Sequence, residues 1–296
     1  MKIAIIGASG FVGKNLIKNL LENTEHEIYA ICLDPENIII EEKYKNRVYK
    51  LKTNVLDQKE IIDALEGIEV AYYLIHMMTN NKNNFYEKED QAAENTGKAL
   101  KSSGVKRVIY MSGLGKDKEN LSMHLLSRHN TGNILRKYIK EVIELRASMI
   151  IGHGSASFEI VKNIVEKSPI IILPKTAKTK TQPIGIDDAL LYLRQSITLK
   201  INESEIIEIG GKESMSYEEF IKRYSKCKNK KNIIFILPIL NEYTAGLLLS
   251  LFNPKEEANI GKCMIGSFQN EMIVTSKKAN QFFPDINPRK IEEFFV

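Results

Sequence analysis

The sequence predicts an α/β fold: a doubly wound parallel sheet with helices on both faces and a smaller α/β lobe interleaved toward the C-terminus. Three observations carry this. Short apolar runs rich in Val, Ile and Tyr alternate with stretches of helical period through the first half. A glycine-rich turn, Gly7-Ala-Ser-Gly10-Phe-Val-Gly13, follows the first run directly. The alternation then changes rhythm after about Gly152. Strands alternating with helices need right-handed crossovers, and these bury a parallel sheet on both sides.

The strands are expected at Lys2–Ile6, Glu27–Leu33, Val48–Leu51, Val70–Ile75, Arg107–Ser112 and Val142–Arg146. Between them, Phe11, Val12, Leu16, Ile17, Leu20 and Leu21 recur at helical spacing. Ile61, Ile62 and Leu65 do so before Gly67, and Ala92, Ala93, Gly97 and Leu100 before Gly104. Beyond Gly152 come a helix over Phe158–Glu166, a proline-flanked run Ile170–Leu173, and Gln182–Ile186 leading into a helix at Asp187–Ser196. Ile206–Ile209 reads as a further strand, and Ser216 with Glu219 matches a capping box. Ile233–Phe252 contains Pro238, Asn241, Glu242 and Gly246, so it reads as a buried or surface helix and not as a membrane span. Tyr243, Leu247, Leu248, Leu251 and Phe252 would form its apolar stripe, by default a core face.

Composition narrows the function classes. The 296 residues are 43% hydrophobic and carry 42 basic against 37 acidic side chains, a net +5, which excludes disorder. The densest basic runs, around Lys175–Lys180 and Lys226–Lys231, read as solvated faces, and no nucleic-acid partner is expected. Cys32, Cys227 and Cys263 lack a CxxC spacing, which argues against a disulfide framework or a cysteine zinc site and points to a cytoplasmic setting. The apolar run Ile3–Ile6 is too short for a signal peptide. The histidines show no metal-ligand spacing, so no catalytic metal is expected. Met77, Met78, Met111 and Met149 flank strands and most simply fill core gaps.

The glycine turn carries the chemistry. Gly7 permits the tight turn, Gly10 lets backbone approach a diphosphate, and Gly13 lets helix and strand pack closely. The free N–H groups of Ser9 through Gly13, Phe11 and Val12 among them, and the positive helix end would face the phosphates. Asp34 ends the second strand 21 residues after Gly13, where a carboxylate can accept from adenosine ribose hydroxyls. No arginine stands there, which favours NAD over NADP, although Lys14 and Lys43 could meet a 2′-phosphate. The expected organisation is a dinucleotide-binding Rossmann domain over 1–154, with return segments at about 181–210. A smaller substrate lobe is expected from 155–180 and 211–296.

Gly7-x-x-Gly-x-x-Gly13 resembles the short-chain dehydrogenase/reductase superfamily, in its extended, atypical NmrA-like branch of nucleoside-diphosphate-sugar epimerase-like proteins. Asn54-Val55 sits where the family often has an Asp-Val pair touching adenine, and Tyr72-Tyr73-Leu74-Ile75-His76 where the fourth strand lines the cofactor. Asn95-Thr-Gly97 and Gly104 through Ser112-Gly113 are similar to the family's helix and fifth strand, and Arg146–Gly152 and Gln182–Asp188 to later landmarks. The resemblance implies cofactor contacts at Asn54, Val55, Leu74, Ile75, His76 and Asn95, and places Ser112 as the serine that polarises a substrate carbonyl. It also implies a Tyr-x-x-x-Lys pair about a dozen residues on, where this chain has His124 and Arg128 instead. Positions i and i+4 share a helix face, so His124 could serve as acid–base and Arg128 could hold ribose hydroxyls, with His129 as a rival one position along. Tyr224 and Lys228 do show the Tyr-x-x-x-Lys spacing, but they lie far from the fifth strand, and one chance match is expected in this composition. His153, between two glycines in a loop the family places over the nicotinamide, is a candidate substrate contact. The implied function is NAD(P)-dependent oxidation–reduction or epimerisation of a small carbonyl, alcohol or nucleotide-sugar substrate. The alternative is a non-catalytic dinucleotide sensor with a protein partner. A homo-oligomer is compatible with either.

Overall fold

A computed structural model describes residues 1–77, 85–117, 120–240, 244, 261 and 266–295. Seven parallel strands make its central sheet: β1 (Lys2–Ile6), β2 (Glu27–Cys32), β3 (Val48–Lys52), β4 (Val70–Tyr73), β5 (Arg107–Gly113), β6 (Glu141–Ala147) and β11 (Glu205–Ile209). Their order is β11-β6-β5-β4-β1-β2-β3. The chain starts in the middle, moves outward to β3, then crosses back to β4 beside β1. That reversal opens a crevice beyond the carboxyl ends of β1 and β4, where such sheets bind ligands.

Alternation along the strands sorts the side chains into two layers. Ile3 and Ile5 pack with Leu16, Ile17 and Leu20 of α1 (Phe11–Asn23) and with Leu190 and Leu193 of α6 (Ile186–Gln195). Ala4 and Ile6 face the other way, toward Ala92, Ala93 and Leu100 of α3 (Phe85–Ser102) and Ile134 and Leu135 of α4 (Met123–Tyr138). Helix α2 (Gln58–Ala64) closes that second layer through Ile61 and is capped by Asp57, whose carboxylate accepts from the N–H groups of Lys59 and Glu60.

A third core lies over the carboxyl edge of the sheet. It joins α5 (Ala156–Lys167), β8 (Ile170–Pro174), α7 (Tyr217–Cys227) and the C-terminal aromatics. Phe295 meets Phe220 and Tyr224 edge to face, at 5.4 and 5.2 Å between centroids. Tyr224, of the stray Tyr-x-x-x-Lys, is buried here with its hydroxyl on Glu166.

Two local expectations are corrected. Ile233–Leu237 forms a strand, β13, parallel to β8, and not the start of a helix. Ile-Ile-Phe-Ile is β-branched and aromatic, and its burial alternates residue by residue, a period of two. The stripe residues Tyr243, Leu247, Leu248, Leu251 and Phe252, with Met78 and Cys263, lie outside the described residues. Ser216 caps α7 by accepting from the Glu219 N–H, but the reciprocal half of the capping box is missing. Arg223, one turn on, takes the Glu219 carboxylate instead. Among the described residues no helix is long and apolar enough to cross a membrane.

Candidate active site

The turn between β1 and α1 is built as a cradle. Gly7 has φ +91°, and a Cβ there would stand 2.9 Å from the Leu74 carbonyl carbon. A Cβ on Gly13 would stand 2.6 Å from the Gly7 oxygen and 2.8 Å from the Ala8 oxygen. Gly10 is the N-cap of α1 and provides no side-chain cap, so the first N–H groups of the helix keep no protein partner. Exposed Gly10 and half-buried Ser9, Phe11 and Val12 leave those donors open to an incoming diphosphate. These residues therefore fit a dinucleotide. Asp34, at the end of β2, is exposed, and its carboxylate makes no cap to the following 3-10 turn. Lys43 is drawn to Glu41 at 3.0 Å.

Other nucleotide-side candidates are committed to the protein itself. Asn95 Nδ2 donates to the Val55 and Leu56 carbonyls at 3.2 and 3.0 Å, bracing the loop before α2. Asn54 Oδ1 accepts from the Leu56 N–H at 3.1 Å, a local turn. Val55 is buried in the sheet's second layer.

Past the cradle a cavity of about 270 Å³ lies between the carboxyl ends of the strands and the smaller lobe. Phe11, Val12, Leu74, Met111, Met149 and Phe268 make its wall largely apolar. Ser112, Ser148 and Tyr217 also line it; Ser112 lies beside Tyr110 and Tyr217 beside Thr181, while the Ser148 hydroxyl is buried without a partner. A buried hydroxyl left unpaired costs about 1–3 kcal/mol, so Ser148 marks a place where a ligand's polar atom completes the pairing.

His76 and His124 meet at this wall. Their Nε2 atoms are 3.0 Å apart. His76 Nδ1 lies 2.7 Å from Glu89 Oε1, and His124 Nδ1 lies 3.1 Å from Ser267 Oγ. Glu89 is only 3% exposed. Burial works to raise its carboxyl, but the His76 hydrogen bond and charge, then Arg128 and the Ser127 hydroxyl, hold it down at about 2. Burial first, and Arg128 second, lowers His76. Burial, then His76 and Arg128, put His124 well below the ordinary histidine value. Both shifts favour the neutral ring, beside an ionised carboxylate.

Arg128 does not reach outward as the family's lysine would. Its Nη1 donates to the Ile75 carbonyl at 3.0 Å and its Nη2 to the Met111 carbonyl, and the guanidinium lies over the Tyr110 ring. It ties the ends of β4 and β5 together at the wall of the same cavity. His129 turns away, with Nε2 on the Gly113 carbonyl at 2.9 Å and Nδ1 on Asp117 at 2.8 Å. His153 is 91% exposed beside Glu159 and is absent from the cavity wall. Glu89, Ser267, Ser148 and Tyr217 were not singled out in the sequence. A signal existed for Glu89 alone: it stands three and four residues before Ala92 and Ala93, on the apolar face of α3.

Acid should destabilise this arrangement. His76, His124 and His129 are held below the value near 6.5 at which the unfolded chain titrates. Below pH 6.5 the unfolded state binds protons that the folded state refuses, so stability falls as pH drops. The slope is at most about 1.4 kcal/mol per pH unit per histidine. A urea midpoint that declines between pH 6.5 and 5 is expected, and a flat midpoint would show the rings charged in the fold.

The comparisons with known proteins agree with the fold and the cradle. Residues 7–150 match the family of NAD(P)H-binding domains. With its seven-stranded parallel sheet the chain has a Rossmann fold, and its first half carries the match to NAD(P)H-binding domains. Among solved structures it is similar to a nucleoside-diphosphate-sugar epimerase from Staphylococcus aureus, at 15% identity and TM-score 0.78, covering 100% of this chain and 99% of that one. It is also similar to the triphenylmethane reductase of Citrobacter sp., at 17% identity and TM-score 0.76, covering 100% and 98%. A third, the NADPH-dependent quinone oxidoreductase of Escherichia coli, is 17% identical with TM-score 0.77 over 99% and 98% of the two chains. At such identities the likeness is one of fold. The auxiliary protein GraX of Staphylococcus aureus is 25% identical over 124 residues, a match spanning 40% of this chain and 39% of that protein.

Proposed function

We propose that the protein is an NAD(P)-dependent oxidoreductase acting on a small carbonyl or alcohol compound held in the cavity beside the cradle. The observation that carries this is Ser112 at the end of β5, which lines the same cavity as the His76–His124 pair. The bound dinucleotide supplies the two-electron donor or acceptor. The chain does the rest. Gly7, Gly10 and Gly13 admit the diphosphate, and Asp34 is placed to accept from the adenosine ribose hydroxyls, which favours NAD. Ser112, Ser148 and Tyr217 offer O–H groups to a carbonyl oxygen as negative charge grows on it. The apolar wall excludes water and strengthens those bonds. A 270 Å³ cavity suits a compact substrate better than a whole nucleotide sugar, which would have to extend out of it.

The test is oxidation of NADH and of NADPH, followed separately by absorbance, with a panel of aldehydes, ketones and quinones. Slow turnover with at least one member is expected. Ser112→Ala should lower kcat about 100-fold and leave coenzyme affinity within about twofold. Coenzyme binding with no turnover across the panel would overturn the reading.

A further inference from the structure

We propose that Ser267 exchanges the proton with the substrate oxygen, and that His124, His76 and Glu89 form the relay behind it. This rests on the oxidoreductase reading and assigns the acid–base group that reading lacks.

Hydrogen-bond accounting fixes the direction of the chain. Glu89 Oε1 accepts from the Met77 N–H at 2.9 Å, and its Oε2 accepts from the Ser127 hydroxyl. An ionised carboxylate can only accept, so His76 carries its proton on Nδ1. A neutral His76 then offers a lone pair at Nε2, and His124 must donate to it from its own Nε2. A neutral His124 accepts at Nδ1, so the Ser267 hydroxyl donates there. Ser122 Oγ accepts from the Leu125 N–H and has its own proton to give to Ser267 Oγ, 3.1 Å away. Ser267 Oγ keeps one lone pair, at the cavity wall. With both rings neutral, one placement of protons satisfies every contact, and it points each O–H and N–H bond from the cavity toward Glu89.

In that state the relay is a base. A substrate hydroxyl donates to the open lone pair of Ser267. Its O–H bond breaks with the electron pair left on the substrate oxygen, and the proton joins Ser267 Oγ. The proton already on Ser267 passes to His124 Nδ1, and the Nε2 proton of His124 passes to His76 Nε2. The relay gains one proton, resting as a His76 imidazolium against the Glu89 carboxylate. Oxidised NAD(P) is the two-electron acceptor that balances the alcohol's oxidation. Carbonyl reduction runs the same path backward from the loaded relay. The charged groups facing the two rings are Glu89 from α3 and Arg128 from α4. The carboxylate holds the stored proton, and the guanidinium keeps it returnable. Four segments of the chain thus supply what a single Tyr-x-x-x-Lys turn supplies in the family it resembles.

Long-range ¹H–¹⁵N spectra of the histidine-labelled full chain with NAD⁺ at pH 7.5 read the tautomers without any turnover. Protonation of His76 on Nδ1 and of His124 on Nε2 is expected. Glu89→Asp should keep the His76 tautomer, and Glu89→Gln should release it. Ser267→Ala should lower kcat at least about 100-fold on whichever panel member turns over, with coenzyme affinity within about twofold, and Ser267→Thr should restore part of it. Alcohol oxidation in the wild type should hold at pH 6.5 and fade on further acidification, as the relay, which takes protons later than free histidine, fills. The reverse tautomer at either histidine, or wild-type turnover in Ser267→Ala, overturns the relay. The two readings fail separately: if nothing in the panel turns over, the oxidoreductase reading falls, and the tautomers alone decide the relay.

Discussion

Gly13→Ala is expected to abolish measurable coenzyme binding and to lower the melting temperature by about 3–6 °C, a loss of about 2–4 kcal/mol. The new methyl carbon would stand 2.6 Å from the Gly7 oxygen and 2.8 Å from the Ala8 oxygen. Both are backbone atoms of the cradle itself, so no side chain can swing aside. The start of α1 must lift off the end of β1, which moves the open N–H groups away from where a diphosphate sits. Gly10→Ala is the control. Its Cβ would come to 3.3 Å from the Gly7 oxygen, a contact that a small shift relieves. It should melt within about 2 °C of the wild type yet bind more weakly, because the methyl group stands where the ligand approaches. Calorimetric titration with NADH and NADPH, alongside thermal melts, reads both effects. Wild-type affinity in Gly13→Ala would remove the cradle as the binding site.

The cradle was legible because every step of it is local. A strand, a turn and a helix start within thirteen residues, and each glycine answers a constraint set by its immediate neighbours. The sheet was legible for a related reason: strands buried on both faces read as short apolar runs, and β1 through β6 fall on the expected segments. Ile233–Leu237 went astray because a short apolar run fits a strand or a helix until its partner is known, and that partner, β8, lies some sixty residues earlier. The proton chain was half visible. His124 and His76 could be named from their places in the pattern, but their pairing spans 48 residues and the contact to Ser267 spans 143. No periodicity carries information over such separations. Arg128 shows the converse. Its position matched the family's lysine, yet its donors go to two strand-end carbonyls, a use that depends on how close those strands come.

Glu144→Gln should cost about 3–5 kcal/mol, among the largest losses available to a single substitution in this chain. Glu144 lies in the middle of β6 with no exposed surface. One carboxylate oxygen takes the Arg136 guanidinium from α4, and the other takes Arg146 Nε at 2.7 Å. Arg146 is itself 4% exposed, and its further partner is Asp117 at 2.8 Å, near the surface. A neutral amide removes the carboxylate between the buried Arg146 and the half-buried Arg136, leaving Arg146 only its outer partner Asp117, and a buried charge short of its partner is what makes breaking such a pair costly. Gly132 of α4 faces the same carboxylate and leaves room for it, so the helix has been fitted to the ion pair. The loss should therefore reach the site, because α4 also carries His124 and Arg128. A urea titration should show the midpoint falling with the slope unchanged. Arg146→Met added to Glu144→Gln should recover part of the loss, since it removes a charge that the first change left short of its partner. A double variant no more stable than Glu144→Gln alone would mean that the carboxylate acts through packing and not through charge.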